Sequence, residues 1–382
     1  MQKIKVVYLI DTLAVGGAEK SLVDIATHNP DVESVFITLY KGDALVPVLK
    51  QNGIKVYQLD NTFKYGIYKV VEQLLPILDE ISPDIIHSTL FRSDIVARKI
   101  RAKRNFPLIS SFVNNSYAKA RYDKMNLVAK MKLTMVQLWD AWTARKVDMF
   151  ISNSETIRQS NSQALCINLK KIKVIYRGRT SDIFQNIPKE SISELRNHFH
   201  IKPETKVLLN VSRLLDRKGQ MDLLQSFAEI NKQYSNLILL IAGEGFYRKP
   251  LEHAIEQLRL QKNVQLLGNR NDIPVVLAIA DVFVFPSHYE GLPGALIEAM
   301  FAQKVIVCSD IGENKECVSP NEAVFFKTGK VVDLTEKLNL VLPHLEEYQN
   351  MAAAARNAAY EKFELRNVVK QYNETYINLL AI

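Results

Sequence analysis

Thirteen short apolar runs, separated mostly by intervals of helix length, constrain this chain more than any other feature. Seven come first: Ile4–Leu9, Val35–Leu39, Lys55–Gln58, Ile85–His87, Leu108–Ser111, Met149–Ser152 and Lys173–Tyr176. A polar stretch near 178–203, holding Pro188 and Pro203, interrupts the rhythm. Six more follow: Val207–Val211, Leu237–Ile241, Val264–Leu267, Val282–Phe285, Val305–Cys308 and Ala323–Phe326. Short runs rich in Ile and Val, joined through helices, mark parallel strands covered on both faces. The expected class is therefore α/β, with two Rossmann-like doubly wound parallel-sheet domains facing a cleft. The expected division is 1–180, 181–363, and a last helix over 364–382 that crosses back to the first domain.

A chain of 382 residues exceeds one ordinary core, which agrees with two domains. No run approaches the ~20 apolar residues that span a bilayer. The opening MQKIKVVYLIDTLAVGG reads as a buried first strand rather than a secretory signal, because Asp11 breaks it and no cleavage pattern follows. Cys166, Cys308 and Cys317 have neither metal-ligand nor redox spacing, and their odd number suits a reducing compartment. Charge is uneven: residues 1–180 hold 27 Lys and Arg against 16 Asp and Glu, the remainder 22 against 25. That basic excess is expected either to meet an anionic partner surface or to be a solvated face. Nucleic acid is not expected, since no recognition motif accompanies it.

In an open parallel sheet, ligands gather at the carboxyl ends of the strands, so the loops there matter most. After the first strand comes Asp11-Thr-Leu-Ala-Val-Gly16-Gly17, a glycine pair opening a helix, where bare backbone can approach an anion. It lacks the full G-x-G-x-x-G spacing of a dinucleotide site. After Val211, a loop presents Arg213 and Lys218, two cations suited to a diphosphate. Ile241-Ala-Gly243-Glu244-Gly245 and Gly268-Asn-Arg270-Asn-Asp272-Ile273-Pro274 end the next two strands. After Phe285 the chain reads Pro-Ser-His-Tyr-Glu290-Gly291-Leu292-Pro293-Gly294, then a helix with Glu298. Backbone amides of the Gly-Leu-Pro-Gly turn, with Glu290 and Glu298, can face a bound sugar and ribose.

These stretches resemble retaining glycosyltransferase family 4, the group 1 glycosyltransferases of GT-B fold. NVSRLLDRKGQ, IAGEG, GNRNDIP, ADVFVFPSHYEGLPGALIEAM and SDIGENKE follow its pattern, including a Glu-x7-Glu pair at Glu290 and Glu298. The resemblance implies that Glu290 meets the transferred sugar and Glu298 the ribose. It places Arg213 and Lys218 on the diphosphate, and Gly16 and Gly17 on the acceptor side. It implies a nucleotide-sugar donor (UDP- or GDP-linked), a glycan or lipid-linked acceptor, retention, and no metal or other cofactor. The chain has no Asp-x-Asp pair, which agrees with the last point.

One departure stands out. Many members carry a first-domain histidine where this chain has Val113, followed by Asn114. His87, at the end of an earlier strand, is then a candidate for the acceptor side together with Asn114. Tyr176-Arg177-Gly178-Arg179 replaces a frequent Pro-Asn-Gly. Two alternatives remain: a non-catalytic sugar-binding or partner subunit, and a nucleotide-sugar epimerase, a class lacking the Glu-x7-Glu spacing. The first domain also carries Arg98, Lys99, Arg101, Lys103 and Arg104, then Lys119, Arg121, Lys124, Lys130 and Lys132 around an apolar series from Met125 to Trp142. Such a pattern suits a cytoplasmic enzyme peripheral to an anionic membrane face, or a helix packed with its polar side in water.

Overall fold

A computed structural model describes residues 3–62, 66–117, 119–123 and 125–381. The chain divides into two compact units, Met1–Gly178 with Leu365–Ile382, and Arg179–Glu364. All thirteen apolar runs form strands, their ends moved by at most three residues.

The first unit holds β1 (Ile4–Ile10), β2 (Val32–Tyr40), β3 (Lys55–Asn61), β4 (Ile85–Thr89), β5 (Leu108–Phe112), β6 (Met149–Ser152) and β7 (Ile172–Val174). They pair in parallel in the order β3-β2-β1-β4-β5-β6-β7. Alternate residues of β1 feed two cores. Val7 and Leu9 pack with Ile37, Leu74 and Phe150 on one face. Val6, Tyr8 and Ile10 pack with Phe36 and Leu22 on the other. The second face is completed by helix Leu365–Leu380, whose Leu365, Val368, Tyr372 and Tyr376 recur at helical spacing. Its Thr375 hydroxyl accepts a hydrogen bond from Lys173 Nζ at 2.9 Å.

The second unit holds β8 (Lys206–Val211), β9 (Leu237–Ala242), β10 (Val264–Gly268), β11 (Val282–Phe285), β12 (Val305–Ser309) and β13 (Val324–Phe326). Their order is β10-β9-β8-β11-β12-β13, again all parallel. In each sheet the sequence order reverses once, between β1 and β4 and between β8 and β11. Crossovers leave such a point toward opposite faces, so a crevice opens at the carboxyl ends of those two strands.

Candidate active site

In the second unit, the loops after β8 and β11 flank the reversal. Register pairs Leu208 with Val282 and Leu209 with Phe283, which carries both loops to one edge. Gly219 has φ +69°, and a Cβ there would lie 2.1 Å from the carbonyl oxygen of Pro286. Only glycine permits that approach. The consequence is that Lys218 and Glu290, 72 residues apart, meet as a buried ion pair through Nζ and Oε1. Arg217 Nη1 donates to the Tyr289 carbonyl at 2.8 Å and stands 3.4 Å from Glu290 Oε2.

Burial opposes both charges. It pushes the Glu290 carboxyl up, but Lys218 and Arg217 bring it below the usual carboxylate range. For Lys218, burial outweighs the attraction of Glu290 and holds the ammonium below the usual lysine range. Arg213, exposed on the same loop, adds positive field at Lys218. Arg217 beside Glu290 and Arg213 near Lys218 add positive charge to the pair, which suits this edge to an anionic ligand. Lys218 is thus not the free loop cation that its position in the sequence suggests; its loss would strand Glu290.

Gly291, buried Leu292 and Pro293 lead into helix Gly294–Phe301, whose first turn has amides without intrahelical partners. Glu298, on that helix, accepts from Arg179 Nε at 2.8 Å in a largely buried pair. After β9, Gly243 has φ +140°, and a Cβ would sit 2.0 Å from the Ser212 carbonyl oxygen, so this loop packs tightly on the one bearing Arg213. Glu244 is paired with Arg248, and Asp272, just before helix Ile273–Ala278, with Arg270. The structure therefore joins Lys218 to Glu290 and leaves Glu244 and Asp272 in local pairs.

In the first unit, Gly16 caps helix Gly17–Thr27, and a Cβ on Gly17 would lie 3.2 Å from Arg177 Nη1. His87 requires a correction. It has no exposed surface, and its ring nitrogens bond Tyr376 Oη at 2.9 Å and Ser111 Oγ at 2.7 Å. Burial depresses its pKa to about 3, so it is a neutral structural imidazole, closed to any acceptor in this conformation. Asn114 is exposed and helps line a pocket of 250 Å³ with Asp11, Leu90, Phe91, Asp94 and Tyr117. Leu90, a bulky residue at φ +79°, turns the chain there.

Asp94 is held by Ser88 Oγ, which donates at 2.6 Å, and burial raises its pKa from 3.8 to about 7 despite the charge of Arg98. The folded unit thus keeps a proton that the unfolded chain sheds above 3.8. The resulting stability is complete below that value and lost as pH rises through about 7. Asp94→Asn is expected to remove this decline, which has a slope of about 1.4 kcal/mol per pH unit. Denaturant unfolding of both proteins at several pH values between those limits checks it. The depressed His87 acts in the opposite sense in both proteins and cancels in their difference. Equal slopes would refute the assignment.

Sequence reasoning missed Arg217 and Glu313; burial and the charge of Glu290 push the Glu313 carboxyl up. It also registered Arg177 and Arg179 only as a departure in pattern, although they reach Gly17 and Glu298. The available signal was two arginines bracketing Gly178, at the junction of the two units.

A family model described as Glycosyl transferases group 1 matches residues 191–358, and one described as Glycosyltransferase Family 4 matches residues 15–182. A capsular polysaccharide biosynthesis glycosyltransferase, CapH, of Staphylococcus aureus is 27% identical over 82% of this chain and 83% of its own. An N,N'-diacetylbacillosaminyl-diphospho-undecaprenol alpha-1,3-N-acetylgalactosaminyltransferase of Campylobacter jejuni is 26% identical over 89% of each chain. In eight of the curated relatives the matched share of their own length ranges from 42% to 92%. Among solved structures, Anabaena HepE in complex with UDP and glucose superposes with a TM-score of 0.86 at 22% identity, covering 98% of this chain and 100% of that one.

Proposed function

The chain is a glycosyltransferase of group 1 and family 4 with the GT-B fold, and from that premise we propose that it moves a sugar, with retention, from a nucleotide diphosphate to a glycan or lipid-linked acceptor. The observation that carries this reading is the Lys218–Glu290 pair at the strand-order reversal of the second unit, with Arg217 against Glu290 and the charge of Arg213 felt at Lys218. Arg213 and Lys218 take the diphosphate and offset the charge that grows on it as the glycosidic bond breaks. Glu290 holds the transferred sugar, and Glu298, positioned by Arg179, takes the ribose. These cations supply the positive charge a metal would otherwise bring, so the reaction proceeds without one.

The donor is UDP- or GDP-linked, and the UDP bound by the neighbour HepE favours uridine. CapH and the Campylobacter transferase favour work in surface polysaccharide or glycolipid synthesis. Such an acceptor places the enzyme on the cytoplasmic face of a membrane, its basic first unit toward anionic lipid. No helix among the described residues is long and apolar enough to cross a membrane.

The test is turnover of a panel of UDP- and GDP-sugars with diphospho-undecaprenol-linked sugars, with and without EDTA, the product anomer read by NMR. An anomer matching the donor, at an EDTA-independent rate, is expected. An inverted product would end the retaining assignment, and loss of activity in EDTA the metal-free one. Arg213→Ala is expected to weaken donor binding by ~1.5–3 kcal/mol, the worth of a charge-assisted hydrogen bond. Being exposed, Arg213 leaves folding intact when replaced. Unchanged donor affinity would remove it from the site.

A further inference from the structure

The long helix Leu127–Ala144 of the first unit faces the wrong way for an ordinary surface helix. Asn126 caps it, its side chain accepting from the Ala129 amide at 2.9 Å. Leu127, Val128, Met131, Met135, Leu138 and Trp142 are each 60–74% exposed. At 100° per residue these six, with half-buried Trp139, fill an arc of roughly 120° that holds no charged residue. The opposite side does the packing: Asp140 and Thr143 hold buried Arg98, and Leu133 meets the core. Globular units turn the apolar stripe of a helix inward, so an outward stripe of this size marks a surface that binds.

Basic side chains surround that stripe. Lys130 and Lys132 stand on its two flanks, exposed Arg145 and Lys146 follow its last turn, and exposed Arg121 precedes its first. Lys124 lies outside the described residues, as does the side chain of Lys119. The cluster at 98–104 contributes less than its composition promises. Arg98 is buried against Asp140, Arg104 is paired with Asp79, and Arg101 with Asp148.

We propose that this helix lies flat on an anionic lipid surface, its Leu–Met–Trp arc in the acyl boundary and its flanking lysines and arginines among the head groups. A protein partner would be expected to meet hydrogen-bonding groups at about one per 100–200 Å². Apart from the indole N–H, the side chains of the arc offer none, and hydrocarbon asks for none. Indole rings settle at the head-group boundary, where apolar ring and polar N–H are both satisfied. The basic rim supplies the attraction, and the apolar arc supplies a hold that salt does not release.

Trp139 and Trp142 are the only two tryptophans in the chain, so its tryptophan fluorescence reports on this helix alone. The full chain is titrated with mixed phosphatidylcholine–phosphatidylglycerol vesicles across a salt series, and with vesicles carrying brominated acyl chains. A blue shift, quenching by bromine, and binding that salt weakens but does not abolish are expected. The triple variant Met131→Ser, Met135→Ser, Leu138→Ser should bind at least tenfold more weakly, with unchanged circular dichroism, since all three side chains are exposed. Three results would overturn the proposal. One is no shift with anionic vesicles at low salt. Another is equal binding by the triple variant, which would leave charge alone. The last is a lipid-independent shift that grows with protein concentration alongside a doubled sedimenting mass, which would make the partner a second copy. The inference rests on the membrane placement proposed above and its failure would remove that placement; neither donor nor acceptor is needed, so sugar transfer itself is tested separately.

Discussion

Glu290→Gln is expected to lower turnover by about 10²–10³-fold, the range seen when one preorganised electrostatic contact to a transition state is lost. Binding of the free nucleotide diphosphate should change far less, because Glu290 is assigned to the sugar. The substitution also leaves Lys218 buried without its carboxylate. Glu290 raises the Lys218 pKa against the effect of burial, so in the variant the ammonium loses its proton at lower pH than in the wild type. Diphosphate binding by the variant should therefore fail earlier as pH rises, while below that transition the two proteins bind alike. Glu298→Gln makes the contrast, weakening free nucleotide and nucleotide sugar together. Rates and diphosphate titrations of both variants over pH decide the matter. The same defect in both variants, or turnover near wild type for Glu290→Gln, would overturn the division of roles.

The largest effect on stability is expected away from the Lys218–Glu290 pair, at Arg98. Its guanidinium is 1% exposed and donates through Nη1 to Asp140 and, at 3.0 Å, to Thr143 Oγ1. Tyr117 Oη donates to the other Asp140 oxygen at 2.7 Å. Arg98→Met strands the Asp140 charge and should cost about 3–5 kcal/mol, the usual penalty for removing one partner of a buried ion pair. Set against a total near 5–15 kcal/mol, that is enough to threaten the first unit. The double variant Arg98→Met, Asp140→Leu removes both charges and should recover much of the loss, because apolar replacement of a whole buried pair is often neutral. Thermal or denaturant unfolding of the single and double variants tests this. A double variant no more stable than the single one would show that the pair does more than satisfy its own charges.

The strand pattern was legible because it is local. A run such as Val282–Phe285 is apolar on both pleated faces whatever lies around it, and its flanking loop and helix signals follow from the same residues. Two sheets, their loops, and the Glu290–Glu298 stretch that carries the family resemblance all came from that level. Glycines were informative where the backbone needed them: Gly219 and Gly243 occupy positions where a Cβ would strike a carbonyl of the neighbouring loop.

Pairing across long sequence separations was not legible. Nothing in the loop Ser212–Gly219 says that Lys218 will be buried on Glu290, because that depends on β8 and β11 lying side by side. Nor does Tyr176-Arg177-Gly178-Arg179 say that one arginine reaches Gly17 and the other Glu298. His87 and Arg98 show the same limit in burial: a strand-end histidine and an arginine in a basic run look accessible by type, and tertiary packing closed both. The helix Leu127–Ala144 states the physical reason most plainly. Periodicity fixes which side chains share a face, but which face turns to the core is set by what the rest of the chain packs against it. Here Asp140, Thr143 and Leu133 took the inner side, and the apolar arc was left facing out.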